Sequence, residues 1–245
     1  MKEKELKQAI SRITLSPEAK ERMMDRLKNQ KEEKYVMKTK KKMVLAVAAA
    51  VMILGASAFA AGGMITGWYG SSRSIPDYTS LPTQEECVKD VGFTPILKED
   101  FANGYAFDNG SIVKNNLTDD SGSVVEKFKS LVFRYSKDGD MVELSQEQYE
   151  SQMPQNGTAF DEKNGVTIYL TEYTNKMVPP NYEMTEEDRQ AEESGALVFS
   201  WGSDQVEIKQ VRGVNWEKDG THFGLLQIDG DLSAQELADM AKELI

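Results

Sequence analysis

The longest uncharged stretch of the chain constrains its organisation more than any other feature. Residues 43–65 read MVLAVAAAVMILGASAFAAGGMI and contain no charged side chain over 23 positions. As a helix rising about 1.5 Å per residue, this run would be roughly 34 Å long, and the hydrocarbon core of a bilayer is about 30 Å thick. The run therefore predicts a transmembrane helix at residues 43–65.

Charge is distributed very unevenly on the two sides of this run. Residues 1–42 carry 14 basic and seven acidic side chains, a net charge of +7. Residues 66–245 carry 15 basic and 33 acidic side chains, a net charge of −18. Because basic flanks stay in the cytoplasm, we predict a single-pass protein of the cell membrane with a cytoplasmic N-terminus and an extracellular C-terminal domain.

The residues that flank the run are of the kinds that anchor a span. Lys40, Lys41 and Lys42 precede it, where they would meet anionic lipid headgroups of the bilayer. Trp68 and Tyr69 follow it, where the outer aromatic belt is expected. The lysines cluster at the membrane edge and are interleaved with glutamates further upstream, so direct nucleic-acid binding is not predicted.

A cleaved signal peptide is the alternative interpretation of the same run. The triplets at 56–58 and 58–60, Ala-Ser-Ala and Ala-Phe-Ala, resemble cleavage sites between small residues. A signal peptide, however, occupies about the first 15–30 residues and has an apolar part of about 7–15 residues. Here the apolar run begins at residue 43 and is longer, which favours an uncleaved anchor.

Two amphipathic helices are predicted in the cytoplasmic segment, residues 1–42. Apolar residues of the first recur at the spacing of one helical face, and Ser16-Pro17 separates it from the second. Because 42 residues cannot enclose a core, the two apolar faces cover each other, lie on the membrane or are buried by a partner. The partner-binding residues predicted on them are Leu6, Ile10, Ile13, Met23, Met24 and Leu27. The alternative is a charged stalk next to the membrane, in which the two helices pack against each other as a hairpin and bind no partner.

The remaining chain predicts a linker and one folded domain. Residues 66–82 are predicted as a linker because they are rich in Gly, Ser and Pro. Residues 83–245 predict an extracellular α+β domain, a twisted antiparallel sheet packed with helices. Thr83 and Ser233 are each followed three residues later by glutamate, the spacing of a capping box that begins a helix.

Turn residues divide the strands of this domain. Asp138-Gly139 and Asp219-Gly220 lie between apolar runs and predict β-hairpins. Asp108-Asn-Gly110 predicts a third hairpin turn by the same reasoning. We expect strands on both sides of each of these turns.

Residues that carry chemistry are scarce. His222 is the only histidine and Cys87 the only cysteine, so no metal site built from nitrogen and sulfur ligands and no intramolecular disulfide is predicted. His222 is expected on an exposed or edge strand, and Cys87 as a buried thiol on a short helix. No catalytic motif or phosphate-binding loop is recognisable. We therefore predict no enzyme activity, no cofactor and no metal.

Several stretches of the sequence resemble a known family. The N-terminal KELKQAISRITLSPEAKERMMDRL, followed by lysines and one apolar run, resembles membrane-anchored anti-sigma factors of Gram-positive bacteria. VGFTPILKEDFANGYAF and VNWEKDGTHFGLLQIDGDLSAQELADMAKELI are similar to an uncharacterised extracellular domain of such proteins. The resemblance implies that the N-terminal helices hold an extracytoplasmic-function sigma factor and that the outer domain senses the envelope. Residues 1–42 contain no His or Cys, so it implies a zinc-free member.

Two other functional classes stay open. The first is a membrane-anchored extracellular binding module whose cytoplasmic residues have no regulatory role. It predicts that the stripe of Leu6, Ile10 and Ile13 tolerates any substitution. The second is a surface enzyme, which requires a pocket of convergent polar groups in the outer domain.

Overall fold

The computed structural model describes residues 49–60, 63–119, 121–151, 153, 157–179, 181–194 and 197–245. These residues form ten strands and three helices. The strands are β1 (Ala49–Ala60), β2 (Gly63–Ser71), β3 (Ala106–Asp119), β4 (Val124–Lys137), β5 (Asp140–Glu147), β6 (Thr158–Lys163), β7 (Val166–Val178), β8 (Leu197–Trp201), β9 (Glu207–Lys218) and β10 (Thr221–Ile228). The helices are α1 (Gln84–Val91), α2 (Glu186–Glu193) and α3 (Ala234–Lys242).

All ten strands belong to one curled sheet. Its order is β1-β2-β3-β4-β5-β10-β9-β7-β6, and β8 pairs with β7 off this path. The β7–β8 pair is parallel, whereas the other pairs are antiparallel. Strands twist in one hand relative to their neighbours, so a sheet this wide curls. Cα atoms of β1 accordingly come within 8 Å of Cα atoms of β8.

The predicted fold class, α+β with a transmembrane helix, is wrong. Most of the predicted helix 43–65 lies in strands, because Ala49–Ala60 is β1 and β2 begins at Gly63. β2 also pairs with β3, with Trp68 opposite Leu117, and this pairing satisfies backbone groups that a helix would satisfy internally. In the portion of the chain that the structure describes, no helix is both long and apolar enough to cross a membrane. An apolar run does not by its periodicity distinguish a buried helix from a strand.

The main core lies between one face of the sheet and helices α1 and α3. Alternate residues of β4 and β5 face it, following the period of two that pleated strands impose. The helices contribute Cys87 from α1 and Leu237 and Met240 from α3. Burying each large aliphatic or aromatic side chain stabilises the fold by about 1.5–3 kcal/mol. The buried strand residues of this core include Leu131, Phe133, Tyr135, Val142, Leu144, Ile168, Val214, Trp216, Phe223 and Leu225.

The local signals for helix starts and hairpin turns are largely confirmed. Thr83 with Glu86 and Ser233 with Glu236 form capping boxes at the starts of α1 and α3. Asp138-Gly139 joins β4 to β5 and Asp219-Gly220 joins β9 to β10. Both aspartates and both glycines have positive φ, which the turn requires and which these residue types tolerate.

The predicted turn at Asp108-Asn-Gly110 is wrong, because these residues lie inside β3. At this position Gly110 allows the side chains of Phe133 and Tyr78 to pack closely against the backbone of β3. A Cβ atom at this position would lie 2.8 Å from Cδ1 of Phe133 and 3.1 Å from Cδ2 of Tyr78. The backbone of Tyr78 exchanges two hydrogen bonds with that of Gly110, with N–O distances of 2.9 and 2.8 Å. Glycine therefore allows an extra segment of chain to lie along β3.

Candidate functional site

Most of the predicted site residues lie outside the described part of the chain. This applies to the partner-binding set and to the lysine flank of the apolar run. Their roles therefore stay predictions. The residues concerned are Leu6, Ile10, Ile13, Met23, Met24, Leu27, Lys40, Lys41 and Lys42.

Trp68 and Tyr69, the predicted outer flank, belong to β2. Tyr69 is buried, and the half-buried Trp68 packs edge to face on Phe128, with ring centroids 5.4 Å apart. The indole Nε1 of Trp68 donates a 2.9 Å hydrogen bond to Oδ1 of Asn115 on β3. Both residues thus contribute to the packing and pairing of the sheet, and their position at a membrane interface stays a prediction.

A cleft of about 410 Å³ opens beside the segment that joins β2 to α1. This connecting segment, residues 72–83, runs along β3. Besides the backbone pairing of Tyr78, the Asp77 carboxylate accepts a 2.9 Å hydrogen bond from the backbone N–H of Ile112. The connecting segment therefore forms one wall of the cleft and the strands form the other. The lining residues are Ser71, Ser72, Arg73, Asp77, Asp90, Ile112, Lys114 and Lys129.

The strand wall is a cross-strand row of three residues. Ser71 on β2 is paired with Lys114 on β3, and Lys114 is paired with Lys129 on β4. Directly paired residues of antiparallel strands place their side chains on the same face, with Cβ atoms about 4.5–5.5 Å apart. The strand register therefore brings two ammonium groups and a hydroxyl to one side of the cleft.

The carboxylates of the cleft are bound to other groups. Asp77 forms an ion pair with Arg73, with 3.2 Å between Oδ1 and Nη1, in addition to its bond from Ile112. Asp90 accepts a 2.7 Å hydrogen bond from the hydroxyl of Tyr78. Burial, together with that hydrogen bond, raises the pKa of Tyr78 far above its ordinary value, so the hydroxyl keeps its proton.

Cys87 lies on α1, on the side that packs into the main core. It is fully buried, as the sequence predicts, and burial raises the pKa of its thiol. A protonated, inaccessible thiol is a poor nucleophile and a poor metal ligand. Cys87 therefore contributes packing to the main core, and it does not line the cleft.

A second polar cluster lies across β2, β3, β4 and β5. It begins with the hydrogen bond from Nε1 of Trp68 to Oδ1 of Asn115. Nδ2 of Asn115 donates to Oγ of Ser130 at 2.7 Å, and Oγ of Ser130 donates to Oε2 of Glu147 at 2.5 Å. Asn115 and Ser130 are buried. Burial raises the pKa of Glu147 from 4.5 to about 7, although the Ser130 bond acts in the opposite direction.

His222 borders this cluster and not an edge of the sheet, so its predicted location is wrong. It lies on β10, between β5 and β9, and is paired with Glu147. Its ring stacks on that of Tyr149, with centroids 4.2 Å apart, and its Nδ1 lies 4.0 Å from Oε2 of Glu217. Burial lowers the pKa of His222, while Glu217 raises it by a smaller amount.

The chemistry available in the two places differs. In the second cluster, the hydroxyl of Ser130 donates a hydrogen bond directly to the carboxylate of Glu147, an arrangement that joins β4 to β5. The cleft presents cationic side chains to solvent beside a segment of irregular chain, an arrangement suited to binding. Among the described residues, no three potential ligands from His, Cys, Asp and Glu lie together in a way that would hold a metal ion.

Sequence reasoning missed the cleft entirely. Lys114 and Lys129 look like ordinary solvent-facing strand residues, and only the β3–β4 register brings them together. A weak signal was present in the connecting segment, where Arg73 is the first charged residue after the apolar run.

Comparisons with protein families, with curated proteins and with solved structures find no match for this chain.

Proposed function

We propose that this chain is a regulatory protein that holds a sigma factor through residues 1–42 and receives a signal through its folded domain. One observation carries the proposal. The connecting segment is a wall of the cleft and also the direct continuation of β2, which leads back through the apolar run to the N-terminal segment. A ligand in the cleft would therefore act on the stretch of chain that joins the two parts.

The sigma-binding half of the proposal is supported by the composition of residues 1–42. Leu6, Ile10 and Ile13 recur at the spacing that predicts one apolar helical face, in a segment too short to bury it. Burying one large aliphatic side chain is worth roughly 1.5–3 kcal/mol, so a few of them support binding after the costs of association. Charged neighbours such as Lys7 would lie at the rim and act mainly on orientation.

We also propose the cell membrane as the site of action, with residues 1–42 in the cytoplasm. The support is the asymmetry between +7 on these residues and −18 on residues 66–245. The proposal concerns location and not the way in which the chain is anchored. Protease added to intact cells should degrade the folded domain and spare a tag on Met1. Degradation of both, or of neither, would contradict this location.

The sigma-binding proposal is tested by capture with the tagged full-length chain. Wild-type protein should retain a sigma factor, and the double variant Ile10→Asp/Ile13→Asp should lose it because two charges then face an apolar contact. Lys7→Ala is the matched control and should weaken capture only slightly. Equal capture by the double variant and the wild type, at equal protein levels, would contradict the proposal. An envelope binding module without a cytoplasmic role would then be the better account.

A further inference from the structure

We infer that the cleft binds a phosphate group, held by Lys114, Lys129 and Arg73 with the hydroxyls of Ser71 and Ser72 as neutral donors. This inference rests on the proposed function, in which a ligand of the cleft is the signal that the folded domain receives. It names the chemical class of that ligand. The arrangement of charge within the cleft carries the inference.

The two lysines of the cleft form a pair of like charges. Lys114 and Lys129 are directly paired across β3 and β4, and like charges in this position repel and destabilise a sheet. Nζ of Lys129 donates a hydrogen bond to the backbone carbonyl oxygen of Asp90, and this carbonyl group carries no charge. Lys114 has no hydrogen-bond or ion-pair partner within the described ranges. Neither lysine forms an ion pair with a carboxylate of the described residues, and a bound anion between the two ammonium groups would offset their repulsion.

The two acidic residues of the cleft accept hydrogen bonds from neighbouring groups. Asp77 is held by Arg73 and by the N–H of Ile112, and Asp90 by the hydroxyl of Tyr78. The side chain of Asp77 is only 10% exposed, whereas that of Arg73 is 81% exposed. Most of the Arg73 guanidinium therefore remains available to a ligand. The cleft is lined by three cationic side chains and two carboxylates, in a part of the chain whose net charge is strongly negative.

The directions of the donors in the cleft favour a tetrahedral anion. Lysine binds phosphate as a point charge and arginine as a fork, and serine hydroxyls add short neutral donors. Here the donors come from three strands and from the opposite wall, so they surround an anion from several directions. A tetrahedral phosphate offers oxygens in all of these directions, whereas a planar carboxylate satisfies one fork. A volume of about 410 Å³ lies within the range of small-ligand sites.

The test is calorimetric titration of the full-length chain with inorganic phosphate and pyrophosphate. Sodium acetate and sodium chloride at matched ionic strength are the controls for carboxylates and for ionic strength. We expect saturable binding, tighter for pyrophosphate. Lys114→Gln and Lys129→Gln should each weaken it about tenfold or more, since each removes a charge-assisted hydrogen bond. Lys209→Gln is the matched control, because it removes the same charge from β9, outside the cleft, and should leave binding unchanged.

A stability measurement provides a second readout. In phosphate-free, low-salt buffer Lys114→Gln should raise the melting temperature, because it removes the repulsion. At the same concentration, pyrophosphate should then raise the melting temperature of the wild type and of Lys209→Gln more than that of Lys114→Gln. The inference is overturned if no titration saturates, if acetate binds as tightly as pyrophosphate, or if Lys209→Gln loses as much affinity as Lys114→Gln.

Two further arms separate the source of the phosphate and the role of the site. Phosphatidylglycerol vesicles that compete with pyrophosphate would identify a lipid headgroup, and a lack of competition would identify a free phosphate compound; both support phosphate recognition. If pyrophosphate binds but does not alter capture of the sigma factor, the receiving role is contradicted and the phosphate site stands. If capture depends on Lys114 and no phosphate binds, the ligand class is overturned and the regulatory function stands.

Discussion

Ser130 donates a 2.5 Å hydrogen bond to the carboxylate of Glu147, its direct partner across β4 and β5. Burial nevertheless raises the pKa of Glu147 from 4.5 to about 7. Because the folded state binds this proton more tightly than the unfolded chain, the stabilisation is fully present below about pH 4.5. It is lost as the pH rises through about 7.

We expect Glu147→Gln to remove this dependence. The glutamine keeps an oxygen that accepts from Ser130 and carries no charge. Relative to the variant, the wild type should lose roughly 1–3 kcal/mol of unfolding free energy between mildly acidic and mildly alkaline pH. Urea unfolding of both proteins across this range measures the difference. Parallel curves for the two proteins would contradict the assignment.

His222 requires its own control in that experiment. Burial lowers the pKa of His222, so its contribution has the opposite sign. It is fully present above the unfolded-state pKa of 6.5 and is lost as the pH falls through the lower folded-state value. His222→Gln should therefore flatten the acidic side of the stability profile and leave the decline that Glu147 causes.

The Lys176–Asp188 ion pair should be important for stability. Its N–O distance is 2.5 Å and its side chains are 15% and 6% exposed. Burial alone would raise the pKa of Asp188, but hydrogen bonds from Lys176 and Tyr182 outweigh it and hold the pKa well below its ordinary range. Asp188→Asn leaves a largely buried ammonium group without its counter-charge. We expect a loss of about 3 kcal/mol in chemical unfolding.

The Arg189–Glu186 pair of the same helix is the matched control for that substitution. Its side chains are 57% and 72% exposed, so solvent screens the interaction. Glu186→Gln should therefore cost less than about 0.5 kcal/mol. Similar losses for Asp188→Asn and Glu186→Gln would show that the buried pair has no special role.

Gly110 is expected to be intolerant of a side chain because of packing. Gly110→Ala places Cβ 2.8 Å from the Phe133 ring, and we expect a cost of about 1–3 kcal/mol from overpacking. Phe133→Leu should recover part of this cost when the two substitutions are combined, because the leucine vacates the contact. A double-mutant cycle measures the coupling. Additive effects would mean that Gly110 is required for another reason.

The local parts of this fold were predictable and the distant pairings were not. Thr83 and Glu86 cap a helix across three residues, and Asp219-Gly220 turns a hairpin across two, so each signal is complete within its own short sequence. The β3–β4 register that pairs Lys114 with Lys129 is set over a whole strand pair. The sequence therefore contains both lysines of the candidate site without indicating their relationship.

The apolar run is the clearest case of this difference. Its length and lack of charge match a membrane span, yet its backbone pairs within a sheet that includes residues far along the chain. Ile65 of β2 packs with Leu117, and Trp68 packs with Phe128. These contacts are made with residues of β3 and β4, so the sequence of residues 43–65 alone could not predict them.

This pairing predicts the effect of truncation. A chain that begins at Gly63 retains β2, whereas one that begins at residue 83, the boundary predicted from sequence, exposes the edge of β3 and uncovers Leu117. Loss of the burial of Ile65 and Trp68 should cost about 3 kcal/mol or more. Thermal and urea unfolding of the two chains measure this cost. Equal stability would mean that β2 does not belong to the domain.

We propose that the chain restrains a sigma factor, and transcript levels test this restraint most directly. RNA sequencing should compare the wild type, a gene deletion and a strain with Ile10→Asp/Ile13→Asp at normal protein levels. We predict that one set of promoters, all dependent on the same sigma factor, rises in both altered strains and returns to its original level when the wild-type gene is restored. Unchanged sigma-dependent transcription in the deletion strain would contradict the claim.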